Sequence, residues 1–440
     1  MAPGKAPGLT WDEPAYVVAG LNYVSPSIPD PWQLNHEHPP LAKLLYGLAL
    51  NLDGGAHGYL APARFVSAFL FAGLVLLTCR AGTRLFGVTT GLAAGGRLIL
   101  MPQILAHAHL AALDLNMAVA WLAAARYGLN PRKGWGGAII LGLLWGLALL
   151  TKVNGIFLIV PLLAWGRISG SLRWREMPVV IGVGLIVFVG GWPWLWDHTA
   201  QRLHEYLLDK SVRWVVPTFY LGETWDKAYP PWHYPLVMAA VTMPPAVLVW
   251  ALGGFGTLLR RRPDAAKWLG LNLAFTLGLA CLPGVPRYDG VRLFLAAFPF
   301  VAIAAGLGLD LMLRALAERT RLGKAGALLA VAALLAGGGG AEGGGAPGIR
   351  DDVLGGRDHA GAAGGDSGKC HGLLRPPGRG LRGLPGPALG PAGTGRRPRH
   401  PWQEGDAGEG VKAPLRGGAG LDGDLPGGRP PGPDLSGALI

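Results

Sequence analysis

The chain has 440 residues, 50% of them hydrophobic and only 15% charged, with a mean hydropathy of +0.33. Soluble globular proteins carry about 25% charged residues, so a soluble enzyme or binding domain is excluded for most of the chain. The net charge of +12 sits on that apolar background and points to membrane topology rather than to a nucleic-acid partner.

Residues 1–61 precede the first long apolar segment. The opening MAPGKAPGLTWDEP lacks the apolar core of a signal peptide. Asp12 and Glu13 stand side by side before Pro14. Thr10 or Asp12 could cap a helix with Pro14 in its first turn. A carboxylate at the membrane surface could equally act as a general base toward a hydroxyl acceptor. Next comes NHEHPPLAKLLYGLAL, residues 35–50. The double proline starts a helix whose Leu41, Leu44, Leu45 and Leu48 recur at helical spacing, as in an amphipathic helix lying on a bilayer. In an extended segment His36 and His38 would face the same way, which suits a divalent metal or a phosphate. With Glu37 between them they are the candidate metal ligands.

From residue 62 onward, apolar stretches recur at lengths that span, or nearly span, a hydrocarbon core of about 30 Å. Ten are read, at 62–79, 88–106, 112–129, 134–151, 153–166, 178–196, 236–258, 266–283, 293–313 and 325–336. If residues 1–61 lie outside the cytoplasm, alternation places 16 of the 27 basic residues before residue 337 in short cytoplasmic connections, from Arg80 to Lys324. It also places 12 of the 16 acidic residues on or near the other side. This is a positive-inside pattern. The expected fold is an all-α polytopic membrane protein with its chemistry on the extracytoplasmic face of the cytoplasmic (inner) membrane.

Three further places carry candidate chemistry. Asp114, in AHAHLAALDLN, begins a membrane helix, where an ionisable residue is either a cap or functional. Arg97 lies nearer the middle of its segment, a costly position for a charge. The loop 197–235, with WPWLWD leading into it and YLGETWDKAYPPWHYP closing it, is an aromatic belt or a sugar-holding surface, and His233 sits within it. In GVPRYDGVRLFL, residues 284–295, Arg287 and Arg292 run against the topology bias. Arginine is the preferred bidentate partner of phosphate, and an ion pair of either arginine with Asp289 is the structural alternative.

Of the 71 glycines, 33 fall in residues 337–440, together with 13 of the 37 prolines. Trp402 is the only aromatic residue there, so the tail has little to bury and is expected to be disordered. Gly, Pro, Ala and Arg, all encoded by GC-rich codons, make up 67 of its 104 residues, and it reads as an out-of-frame translation. Cys79, Cys281 and Cys370 have no spacing that suggests a disulfide framework or a zinc site.

WDEPAY, NHEHPPLAKLL, the Asp114 turn, LLTKVNG at 149–155, WPWLW, PPWHYP and RYDGVRLFLAAFPF, in that order on a polytopic chain, resemble the family 39 glycosyltransferases. These are the protein O-mannosyltransferases and lipid A aminoarabinose transferases with the GT-C fold. The resemblance covers roughly residues 9–313. It implies a GT-C-like bundle of about ten membrane helices that transfers a sugar from a polyprenyl-phosphate donor to a protein or glycolipid acceptor. It implies Asp12 as base with Glu13 supporting it, and Asp114 as the second-loop acidic position. His36, Glu37 and His38 would lie beside the site mouth, in some relatives contributing a metal ligand, and Lys152, Arg287 and Arg292 would serve the lipid phosphate. The family's first membrane helix precedes the acidic pair, so a further helix in front of residue 1 is expected. A non-enzymatic membrane protein such as a transporter, or an inactive fragment of a glycosyltransferase, are the rival readings.

Overall fold

The computed structural model describes residues 8–130, 134–211, 215–320 and 326, all within one compact unit, Met1–Ala362. The tail 337–440, Cys370 and, apart from residue 326, the tenth apolar segment lie outside the described residues.

Two helices open the chain. α1 (Glu13–Val24) and α2 (Leu41–Asp53) pack against each other at a crossing where an added Cβ on Gly20 or Gly47 would run into the other helix's backbone. Only glycine permits so close an approach. α2 has the amphipathic pattern expected, but it is the face of Ala42, Lys43, Tyr46, Gly47 and Leu50 that is buried in the protein. Leu41, Leu44 and Leu45 are only half-buried and Leu48 is exposed, so the leucine face is the one left for lipid.

The bundle follows: α3 (Leu60–Phe86), α4 (Val88–Ile99), α5 (Pro102–His107), α6 (Leu113–Tyr127), α7 (Gly134–Leu149), α8 (Gly155–Ile168) and α9 (Met177–Gly190). After it come the surface helix α10 (Thr199–Ser211) and a hairpin of β1 (Thr218–Tyr220) and β2 (Glu223–Trp225), paired antiparallel with Phe219 opposite Thr224. The chain returns to the bundle through α11 (Tyr234–Thr242), α12 (Pro245–Arg261), α13 (Pro263–Leu273) and α14 (Phe298–Thr320). α3 leaves Phe65, Phe69 and Leu76 exposed along its length, as a lipid-facing helix would. α14 is its opposite, a central helix packed on α4 and α12.

Three expected spans are broken. Segment 88–106 divides at Pro102 into α4 and α5. Segment 236–258 is two helices, α11 and α12, bent by 118° where Pro244 and Pro245 remove consecutive donors. Segment 266–283 continues α13 as a wide turn, Ala274–Gly278, and a short tight turn, Leu279–Cys281. Among the described residues two helices alone, Leu60–Phe86 and Arg292–Arg319, are long and apolar enough to cross a membrane, or three spans if the bent pair counts as one. Gly134–Leu149 and Gly155–Ile168 are apolar but shorter.

Buried tryptophans stitch the layers through their indole N–H groups. Trp121 on α6 donates to Asn272 Oδ1 on α13 at 2.9 Å, and Trp145 on α7 donates to the Gly155 carbonyl at the start of α8 at 2.9 Å. Arg97, costly in mid-segment, lies over the Trp250 ring at 4.6 Å, a cation–π contact that supplies its partner.

A candidate active site built on one guanidinium

Three elements end at the same point of the bundle. α6 begins there, so Asp114 lies in its first turn; α7 has just ended, placing Lys152; and the tight-turned segment Arg292–Ala297 leads into α14, placing Arg292. The first turn of α1 comes to meet them. Asp12 precedes that helix but makes no side-chain cap. Its carboxylate Oδ2 accepts instead from Arg292 Nη2. Arg292 Nε donates to Asp114 Oδ2 at 2.8 Å and Nη1 to Asp289 Oδ2 at 3.2 Å. The other Asp114 oxygen accepts from Lys152 Nζ. One guanidinium thus holds three carboxylates, two of them, Asp12 and Asp114, from distant parts of the chain and the third, Asp289, from three residues before it.

Electrostatics account for the arrangement. Asp114 is almost fully buried, 2% exposed at its side chain, where an unpaired carboxylate would be prohibitive; two cations compensate it. Asp289, in a left-handed backbone conformation at φ 52°, has its carboxyl raised above the ordinary range. Lost hydration within the cluster is the main cause and the charges of Asp12 and Asp114 add to it, against the pull of Arg292; the side chain keeps 44% of its surface exposed, so solvent screens the effect.

Donors remain for a ligand. A guanidinium has five N–H groups and an ammonium three. Arg292 uses three and Lys152 one, so four are left. Asp114, Lys152 and Arg292 line a cavity of about 440 Å³ whose remaining wall is largely apolar, including Trp121, Phe157 and Phe275, with Tyr229 and Tyr288 among its polar groups. Asp12 is not among the lining residues and adjoins the cavity through Arg292, to which its Oδ2 is bound; no bond reaches its Oδ1 among the described residues, which leaves one carboxylate oxygen to accept a proton.

Several other expected site residues do different work. Glu13, fully buried, takes Arg64 in a two-pronged pair, Nε to Oε1 at 2.8 Å and Nη2 to Oε2 at 2.6 Å, and also the backbone N–H groups of Ala111 at 2.9 Å and Thr10 at 3.0 Å. Burial raises its carboxyl, but these four donors outweigh burial and hold it below the usual glutamate range. Glu13 locks α1 to α3 and to the loop before Asp114, and it does not line the cavity. Arg287 is buried and spends its donors on backbone carbonyls, Pro230 at 2.7 Å, Leu282 at 2.7 Å and Ala280 at 3.4 Å. It shapes the loop and does not line the cavity. His233 Nδ1 pairs with the Tyr220 hydroxyl at 2.7 Å, tying the hairpin to the start of α11.

The segment 35–38 is not extended. Asn35 is left-handed at φ 55°, and the Lys43 ammonium gathers the carbonyls of Asn35 at 2.6 Å and His38 at 2.7 Å, curling the segment. His36 therefore stacks on Trp194 at 4.8 Å while His38 meets the edge of Tyr16 at 5.7 Å, and Glu37 accepts from Asn35 Nδ2 at 3.1 Å. Among the described residues no group of three His, Cys, Asp or Glu side chains could hold a metal ion, so the three do not fit a metal ligand set.

Three contributors escaped the sequence reading: Arg64, Lys43 and Tyr46. The Tyr46 hydroxyl donates to the Ala112 carbonyl at 2.7 Å and accepts from Asn116 Nδ2 at 2.7 Å. Burial pushes its phenol up to about 12, so it stays protonated and fixes the turn that carries Asp114. Lys43 was within reach of reasoning, since a lysine on the buried face of a helix needs carbonyl or carboxylate partners.

The all-α, polytopic fold is similar to that of the membrane protein ArnT. Residues 37–196 match the family described as Dolichyl-phosphate-mannose-protein mannosyltransferase. Among solved structures, ArnT from Cupriavidus metallidurans bound to undecaprenyl phosphate is similar at 19% identity and a TM-score of 0.56, covering 76% of this chain and 60% of ArnT. The apo form of ArnT gives 19% and 0.54, covering 74% and 58%. The chain therefore spans about 60% of the length of ArnT. AglB from Archaeoglobus fulgidus, in complex with an inhibitory peptide and a dolichol-phosphate, is similar at 14% identity and a TM-score of 0.47, covering 70% of this chain and 47% of AglB. No curated protein matches the chain.

Proposed function

We propose that this site transfers a sugar from a polyprenyl-phosphate donor to an acceptor hydroxyl on a protein or glycolipid, at the extracytoplasmic face of the cell membrane. The observation that carries the reading is the pair Arg292 and Lys152, held at the wall of an apolar cavity with four donors unspent beside a carboxylate with one open oxygen. An apolar cavity suits a prenyl chain and a donor cluster at its wall suits the phosphate; the phosphate that ArnT binds is of this kind.

In the reaction, the acceptor oxygen attacks the anomeric carbon and its proton passes to Asp12 Oδ1. The bond from the anomeric carbon to the phosphate oxygen breaks, and the electron pair leaves with the lipid phosphate. Arg292 and Lys152 meet the charge that develops there. Asp114 holds both cations in place, and Asp289 fixes the third edge of the guanidinium.

The test is binding of undecaprenyl phosphate to the full chain in nanodiscs. Native protein should bind it and should not bind the phosphate-free alcohol, and Lys152→Met should weaken binding roughly tenfold or more. Equal binding of the alcohol and the phosphate would overturn the reading.

A further inference from the structure

The opposite end of the bundle carries a second cavity. α6 separates the two, with Asp114 in its first turn and Arg126 in its last, about 18 Å apart at the helical rise. At that far end a recess of about 320 Å³ is lined by Arg84, Arg261 and Arg262, with Leu85, Leu129, Trp165 and Ala265 as apolar walls. Its one carboxylate, Asp264, is paired with Lys267 at 3.1 Å. Arg80 and the lining Arg84 are close enough to Arg126 to repel it, and among the described residues Arg126 Nε is buried without a hydrogen-bond partner.

Topology bias explains basic residues in connections, but not three guanidinium groups lining one recess with two more, Arg80 and Arg126, close by. Helix ends do not balance them either. α3, α6 and α12 end here and present about half a negative charge each, which offsets less than two of the five. The excess is at least three positive charges, beside an indole and leucines able to pack on a glycerol and the first carbons of an acyl chain.

We propose that this recess binds the phosphate of an anionic phospholipid headgroup, with Arg84, Arg261 and Arg262 around the phosphate and Trp165 and Leu129 against the lipid below it. The site is separate from the carboxylate cluster and does not depend on the transfer reaction. It anchors the ends of α3 and α12 to one leaflet.

The test uses the full chain in a nonionic detergent, with bound lipid counted by native mass spectrometry against added phosphatidylglycerol or phosphatidylcholine. Native protein should prefer phosphatidylglycerol about tenfold, and the triple variant Arg84→Gln, Arg261→Gln, Arg262→Gln should lose that preference. Arg175→Gln, an exposed arginine elsewhere, should keep it. If the triple variant fails to fold, Arg84→Gln alone should cut the preference about threefold. Millimolar inorganic phosphate should not displace the lipid; displacement would mean a site for the free ion and would overturn the lipid assignment. So would a folded triple variant, or a folded Arg84→Gln variant, with undiminished preference.

Discussion

The adjacent carboxylates Asp12 and Glu13 divide between chemistry and structure, and Glu13→Gln isolates the structural half. Each Glu13 oxygen accepts two donors: Oε1 from Arg64 Nε and the Ala111 N–H, Oε2 from Arg64 Nη2 and the Thr10 N–H. Glutamine offers one acceptor oxygen, so in either orientation its NH₂ group faces two donors, and the Arg64 guanidinium loses its counter-charge. Breaking a buried pair by removing one partner costs about 3–5 kcal/mol, against a total stability on the order of 5–15 kcal/mol. The midpoint of thermal unfolding, followed by tryptophan fluorescence in detergent, should fall on the order of 10 °C, while transfer per folded molecule at low temperature stays within about threefold. The depressed Glu13 carboxyl gives the same result a pH signature. Its contribution is complete above the unfolded glutamate value of about 4.3 and is lost as pH falls through the lower folded value, so native and variant should converge in acid. An unchanged midpoint, or a variant that unfolds normally yet has lost transfer, would refute the division.

Arg292→Lys replaces a three-pronged guanidinium with a single ammonium that cannot reach Asp12, Asp114 and Asp289 together, and should lower transfer about a hundredfold; a change under about threefold would contradict the role. Asp289→Asn acts in the opposite pH sense to Glu13. A raised folded carboxyl stabilises below the unfolded aspartate value and loses that stabilisation as pH rises through the folded value, so the stability of the variant relative to native should climb as pH rises from about 4 through the higher folded value. A flat difference in denaturant titrations across that range would refute the shift. EDTA should leave turnover within about twofold, because the His36 and His38 rings have different neighbours; a large loss restored by zinc would contradict this.

The all-α fold class was legible because apolar runs leave a local mark, whereas the breaks that divide several of those runs and the roles of the charged residues depend on what meets them in space. Partnership leaves no such mark. Arg287 and Arg292 sit five positions apart in one motif, yet one satisfies carbonyls and the other the reactive cluster, a difference set by where Pro230 and Asp114 arrive in space. Asp12 and Glu13 are likewise equivalent in sequence, and only Arg64, a lone arginine at the start of an apolar segment, separates them. The bend between α11 and α12 was marked by Pro244 and Pro245, which outweigh the continuous apolar run around them. The curl at His36 was concealed because it depends on Lys43, whose ammonium reaches back from the next helix.

The most direct measurement is release of free polyprenyl phosphate by the full chain in nanodiscs, with a panel of polyprenyl-phosphate hexoses and pentoses and a membrane extract as acceptor, comparing native protein with Asp12→Asn. Asp12 is half-buried, 27% exposed at its side chain, where Glu13 and Asp114 are 0% and 2% exposed, so the variant should unfold within a few degrees of the native midpoint while releasing phosphate at least about a hundredfold more slowly. Native-like release by the Asp12→Asn chain would contradict the assignment of the base and the mechanism built on it.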